Sequence, residues 1–440
     1  MHSYWPIRRE LCIYVMEAYR MKNKGKRFLG LLLTVVMLLT LVVGCGGQKS
    51  GTTTKEVKMG TILPLSGSAA PLGKIGQQAR DMAIEEINEA GGIKSLDGAK
   101  IKMVYADSKG DPAVGVSEAE RLITQEEVCL ITGCYQSGVA MPSTEVAERY
   151  QIPYFVDVPS EDQITERGFK YIFRLAEKTS WRNLAQTEFV TEMSKKYNTP
   201  VKTVGLIYEN TAWGQGAVRA WEKYLPEAGL KIIMKEPYPT NSSDLTPVVL
   251  KAKQLNPDII MMVSYVSDAA LLTKTFAEHQ VKPLAFIGTS GGFADPTYYN
   301  LAGDASEYFF DISTWEPDVN RPSSKEVNER FKAKYGYGMN AEAVKAYAGM
   351  YVIADALERA GSTEPEKIRE AFAATDINEG ATQMYASQTK FDETGQMINA
   401  PLVICQYQKV NGKMERVTVW PEKEARVGSK IVWPYPGVAK

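Results

Sequence analysis

Histidine is nearly absent: the chain carries two, His2 and His279, in 440 residues. So few make a His-ligated metal site or a Ser-His-Asp triad hard to assemble, and His279, late in a helical pattern, reads as a solvated or helix-capping residue. Cysteine is sparse as well, with five residues, Cys12, Cys45, Cys129, Cys134 and Cys405. Cys129 and Cys134 lie in one apolar run read as a strand. Five residues of strand span ~16 Å, whereas a disulfide needs Cα atoms within ~7 Å. These two cannot pair within a strand, and no disulfide is expected. Neither sign of charge dominates: 51 basic against 52 acidic residues leave −1, which speaks against a strongly basic nucleic-acid binder. No G-x-G-x-x-G follows a strand; Gly73-Lys-Ile-Gly76 and Gly214-Gln-Gly216 lack the full spacing. There is no Walker A motif. There is no G-x-S-x-G elbow either, since Tyr135 stands two before Ser137. No cofactor or metal is expected and catalysis is disfavoured, with carboxylate chemistry by Asp107, Asp111 or Asp157 as the rival.

What is present is an average soluble composition, 44% apolar and 23% charged, in a chain long enough for two or three domains. From Lys55 onward strand and helix signals alternate. Val57–Leu63, Ile101–Ala106, Val128–Gly133 and Pro153–Val156 read as strands. Gly73–Ala90, Ala113–Gln125 and Ser137–Tyr150 read as helices between them. Gly91-Gly92 ends the first helix. The rhythm restarts with helix Trp181–Tyr197 and strand Val201–Tyr208, and continues through strands Lys231–Pro237, Ile259–Val263 and Pro283–Gly288. Repeated βα units predict parallel sheets covered by helices. Two such modules in succession predict an α/β protein of two doubly wound, Rossmann-like lobes. Helices Ser323–Tyr335, Ala341–Ala360 and Glu364–Ala374 follow. A strand at Leu402–Gln408 and a hairpin turn at Val410-Asn411-Gly412-Lys413 come near the end.

The amino-terminal stretch has its own logic. Lys22, Lys24, Lys26 and Arg27 precede an apolar run, Phe28–Val43, that ends in Leu41-Val42-Val43-Gly44-Cys45. A basic region, an apolar region and a small residue describe a secretory signal; an uncleaved anchor is the alternative. An apolar pair, a small residue and then Cys resembles the bacterial lipobox. That resemblance implies cleavage before Cys45 and diacylglycerylation of its thiol, a stable two-chain anchor. Residues 45–55 are a polar tether reaching ~35 Å when extended. Residues 1–20 fit none of this and are read as a mis-assigned start, with 21–44 as the signal.

Ordered motifs then carry a family resemblance. Thr61-Ile-Leu-Pro64-Leu-Ser-Gly67 with Glu85-Glu-Ile-Asn88-Glu-Ala-Gly91-Gly92, Asp107-Ser-Lys-Gly-Asp111-Pro112, Gly133-Cys-Tyr-Gln-Ser137-Gly138, Arg167-Gly168-Phe-Lys-Tyr-Ile-Phe173-Arg174 and Trp213-Gly214-Gln-Gly216 resemble, in order, the leucine/isoleucine/valine-binding family. The resemblance implies a type I periplasmic binding fold with a three-segment hinge: residues 56–175 and 316–388 in one lobe, 176–315 and 389–440 in the other. It implies an extracytoplasmic, lipid-anchored monomer that passes a small ligand to an ABC permease, with no nucleic-acid partner. A sensor feeding a signalling partner is the rival within the fold.

Ligands of open α/β sheets bind beyond the carboxyl ends of strands. Ser137, at a helix start, suits a ligand carboxylate and also serves as a helix cap. By the resemblance, Ser160 aligns with a family threonine that contacts ligand, or else is a turn serine, and Val158 offers backbone groups. Tyr135 and Gln136 line the wall. Trp213 aligns with a family aromatic that covers the ligand, or else packs under its helix. Tyr265 lies in the next loop, and Asp268 is a helix cap or an ammonium partner. Ser290 stands where the family's branched-chain binder carries a glutamate for the ammonium. Serine cannot neutralise an ammonium. Either Asp268 takes that role or the ligand is an amide, a urea-like solute or an aromatic carboxylate rather than an amino acid.

Overall fold

The structure is a computed structural model that describes residues 55–438; the expected signal, most of the expected tether and Cys45 lie outside the described residues. The first sheet contains β1 (Glu56–Leu63), β2 (Lys100–Asp107), β3 (Ile131–Gly133), β4 (Tyr154–Val156) and β5 (Ile172–Arg174). All are parallel, in the order β2-β1-β3-β4-β5. Between them run α1 (Ala70–Glu89), α2 (Pro112–Thr124), α3 (Ser137–Tyr150) and the single turn α4 (Gln163–Glu166). Helix α1 buries Leu72, Ile75, Ala79, Met82, Ala83 and Ile87 along one face, the spacing of an amphipathic helix. Helix α2 starts at a cap: Asp111 accepts the N–H groups of Ala113 and Val114, and Pro112 occupies the first turn, where its missing N–H costs nothing.

After α5 (Thr179–Lys196) the second sheet begins. It contains β6 (Thr203–Glu209), β7 (Lys231–Tyr238), β8 (Ile259–Val263), β9 (Ala285–Thr289) and β10 (Phe310–Ser313). The helices α6 (Ala212–Glu227), α7 (Thr246–Leu255), α8 (Val266–Glu278) and α9 (Pro296–Ala302) connect them. The parallel order β7-β6-β8-β9-β10 repeats that of the first sheet. Every residue of β8, Ile-Ile-Met-Met-Val, is buried, as expected of a parallel strand covered on both faces. In each sheet the order reverses beside the first strand, between β1 and β3 and between β6 and β8.

Helices α10 (Ser324–Tyr335), α11 (Ala341–Ala360) and α12 (Pro365–Ala373) return to the first sheet. Val344, Tyr347 and Ile353 of α11 share a core with Ile75 and Met82 of α1. The short strands β11 (Asp376–Ile377) and β12 (Thr389–Lys390) follow. The chain then still runs along β5: the Arg174 N–H donates to Gly395 O at 2.7 Å, and the Arg174 guanidinium donates to Gln396 Oε1 at 2.5 Å. The third passage between sheets therefore falls at about residues 398–402, later than position 389, because this pairing holds 395–397 against the first sheet. Strands β13 (Val403–Val410) and β14 (Lys413–Trp420) extend the second sheet antiparallel. Their turn has Asn411 at φ 52° and Gly412 at φ 79°, the two left-handed positions of a type I′ hairpin turn.

Candidate functional site

The loops after β3, β4, β6, β8 and β9 meet between the two sheets. They enclose a cavity of about 30 Å³ lined by Tyr135, Ser137, Val158, Ser160, Trp213 and Tyr265, together with Pro159, Arg182, Gly291 and Glu342. A cleft of about 280 Å³ opens beside it, shares Tyr265, and is lined by Gln136 along with Gly110, Thr211 and Asn241. Of the nine expected ligand-site positions, six thus line the inner cavity and Gln136 lines the outer cleft.

Ser137 is the first residue of α3 and not its cap; the cap is Gln136, in extended conformation. The Ser137 hydroxyl instead accepts the Glu161 N–H at 3.3 Å, which ties the loop after β4 to the start of α3. Residues opening a helix have no N–H partner in a preceding turn, and the helix dipole adds to their preference for an anion. Ser160 shares a hydrogen bond with the Thr179 hydroxyl at 2.9 Å, anchoring that loop to α5. Trp213 begins α6. Its ring lies 5.3 Å from that of Tyr265, and Tyr265 lies 6.5 Å from Tyr135. Burial raises both tyrosine hydroxyls well above their ordinary value, so they stay neutral.

Asp268 lies in the first turn of α8, whose cap is Tyr265. It accepts the Asn241 N–H at 3.1 Å and stands outside the cavity wall. Burial raises its pKa. Ser290 is buried at φ 46°. Its N–H donates to Asp311 at 2.6 Å, and its hydroxyl donates to Glu342 Oε1 at 3.2 Å.

Four charged side chains that sequence patterns did not bring forward sit at or behind this cavity. Arg182 pairs with Glu177, and Lys345 lies 3.5 Å from the other Glu177 oxygen. Burial would raise the Glu177 carboxyl, but Arg182 and Lys345 outweigh it and hold its pKa down. Burial likewise opposes the Arg182 charge, and Glu177 and Glu342 outweigh it. Glu342 Oε2 is buried and has no hydrogen-bond partner. The available signal was opposite charges three residues apart, Glu342 and Lys345, opening an alanine-rich helix.

Two contacts join the lobes here besides the cavity wall: Ser290 to Glu342, and Arg219 to Glu161 at 2.5 Å. The Glu161 carboxylate sits so close over Gly216 that a side-chain carbon there would collide with it. The carboxylates of the rival hydrolytic reading have other work. Asp107 accepts the N–H groups of Leu65, Ser66 and Lys109, Asp111 caps α2, and Asp157 pairs with Arg80. Cys129, Cys134 and Cys405 are free, and no group of three or more metal-ligating side chains occurs among the described residues.

Comparison with known proteins places this geometry. The family profile described as periplasmic binding protein matches residues 56–412. A Leu/Ile/Val-binding protein homolog 7 of Brucella abortus is 32% identical over 400 residues, covering 88% of this chain and 97% of that relative. A Leu/Ile/Val-binding protein homolog 8 of Brucella melitensis is 33% identical over 383 residues, covering 84% and 92%. Among solved structures, the branched-chain amino acid substrate-binding protein LivJ of Streptococcus pneumoniae with isoleucine superposes at TM-score 0.71 and 24% identity, covering 83% of this chain and all of that one. A Rhodopseudomonas palustris solute-binding protein with benzoate superposes at TM-score 0.72 and 17% identity, covering 86% and 99%.

Proposed function

The chain belongs to the periplasmic binding protein family, and from that membership we propose that it is the solute-binding subunit of an ABC importer, closing around a small polar ligand outside the cytoplasm. The ligand we favour is an amino acid of the branched-chain type. The observation that carries this is the cavity itself: its wall comes from both sheets, at the carboxyl ends of their strands and beside both points where strand order reverses. Ser137 and the opening of α3 receive a carboxylate. Trp213 and Tyr265 arrive from the other lobe and complete the shell by hinge closure. Ligand favours the closed form only by the difference in its affinity for the two forms.

A thermal-shift screen tests this on protein refolded to strip carried ligand. A ligand at 100 times its Kd adds ~2.7 kcal/mol, so one member of an amino-acid panel should raise the midpoint by several degrees. No shift with any amino acid, amide, urea or aromatic carboxylate would sink the proposal. A second ligand class, aromatic carboxylates, is favoured by the rings of Tyr135, Trp213 and Tyr265 and by the benzoate bound to the Rhodopseudomonas palustris protein. We also propose that Cys45 carries the lipid anchor and that the protein works as a monomer. Metabolic labelling with a radioactive fatty acid should then mark the wild type and not Cys45→Ala, and an unlabelled wild type would refute the anchor.

A further inference from the structure

We propose that Glu342 is the ammonium-binding group of this site, so that the ligand is a zwitterionic α-amino acid held at both charged ends by the first lobe. This rests on the solute-binding function proposed above and names the ligand class for the same cavity.

Three observations converge on Glu342. Its side chain lines the cavity, the residue is only 4% exposed, and one carboxylate oxygen is buried with no donor. A buried carboxylate oxygen left without a donor is costly, and an ammonium, with three N–H donors, satisfies it. Next, Ser290 hands its hydroxyl to the other Glu342 oxygen. It does so from a left-handed backbone conformation, φ 46°, that its N–H bond to Asp311 holds in place. Such strained serines occur where a side chain must be aimed. The position expected to supply a carboxylate from the second lobe thus orients a carboxylate supplied from the first. Last, Asp268, the other acidic candidate, also has one buried oxygen without a donor, but it stands outside the cavity wall and its other oxygen accepts the Asn241 N–H.

Charge decides between ligand classes. A zwitterion brings its ammonium to the Glu342 oxygen that lacks a donor, whereas an aromatic carboxylate would add one negative charge next to Glu342. The Tyr135 ring beside Glu342 suits a cation as well.

The test is calorimetric titration of the purified protein and of Glu342→Gln and Asp268→Asn. The titrants are the twenty amino acids, 4-methylpentanoate (leucine without its amine) and benzoate. The wild type should bind at least one amino acid. Glu342→Gln should weaken that binding tenfold or more while leaving any binding of 4-methylpentanoate undiminished or stronger, since the amine-less acid no longer meets a like charge; Asp268→Asn should change neither by more than about threefold. If Glu342→Gln binds the amino acid as tightly as wild type, or if Asp268→Asn loses it instead, the assignment to Glu342 is wrong and the solute-binding function stands. If the wild type binds benzoate and no amino acid, the ligand class proposed here falls while importer function survives. If it binds nothing in this panel, the assignment to Glu342 falls, and the wider screen decides whether the function falls with it. Should Glu342→Gln not fold, Glu342→Asp keeps the charge but withdraws it by a methylene, and the same loss confined to the amino acid is expected.

Discussion

Arg80 and Asp157 pair with both side chains only 1% exposed. Removing one partner of a buried pair strands the other charge, at a cost of ~3–5 kcal/mol. Arg80→Ala should therefore lower the urea unfolding free energy by that amount, and a loss under ~1 kcal/mol would show that water reaches Asp157. The same scale shows what was legible. Tyr135, Ser137, Val158, Ser160, Trp213 and Tyr265 could be placed because each follows the end of a recognisable strand. Glu342 could not. It lies 182 residues beyond Ser160 in a helix whose alanines mark it as core, and only the fold brings it to Ser290. A lone carboxylate in an apolar helix carries no local sign of what it faces. Ser137 lines the cavity, yet its hydroxyl serves Glu161 and not its own helix, a partner 24 residues away that no capping rule supplies.

At the scale of elements, Asp111 caps α2, a role the sequence reading did not give it. Asp111→Ala removes an acceptor for two N–H groups and should cost ~1 kcal/mol, read as a fall in the urea midpoint at unchanged slope. The β13–β14 hairpin was visible, since Asn-Gly meets the backbone demands of a tight turn. Helix α11 was legible as a helix, but not as one whose first turn enters the site. The third passage between sheets was displaced because a side-chain bond, Arg174 to Gln396, outweighs any local signal at 389.

At the scale of the whole molecule, the two parallel sheets follow from repeated βα units, and the sequence rhythm revealed them, though not the order of strands within each. The charge balance beside the second passage did not show. There Arg416 faces Asp311 and Glu316 at 2.5 and 2.6 Å. One guanidinium cannot serve two buried carboxylates equally. Burial, partly offset by Arg416, raises Glu316 to about 8 and Asp311 to about 6. An unfolded glutamate loses its proton near ~4.3. Between that value and 8 the folded chain binds the proton and the unfolded chain does not. Stability from this group is therefore greatest below that window, falls as pH rises through it by at most ~1.4 kcal/mol per unit, and levels off above. Thermal midpoints from pH 6 to 9 check this, and Glu316→Gln should flatten the profile. The proposed closure has its own test at Gly216: Gly216→Val would press against the Glu161 carboxylate, and X-ray scattering should find it less contracted at saturating ligand than the wild type.

The division of polar and aromatic contacts between lobes has a kinetic side. Ser137, Ser160 and Glu342 belong to one lobe; Trp213, Tyr265 and Ser290 belong to the other. On the proposed binding role, capture would be governed by the first set and residence by the second. Trp213→Ala should leave the association rate within about threefold in stopped-flow and multiply the dissociation rate, whereas Ser137→Ala should alter both. A permease that pulls the second lobe away would lengthen no bond to the ligand's charged ends; it would shorten the ligand's dwell time.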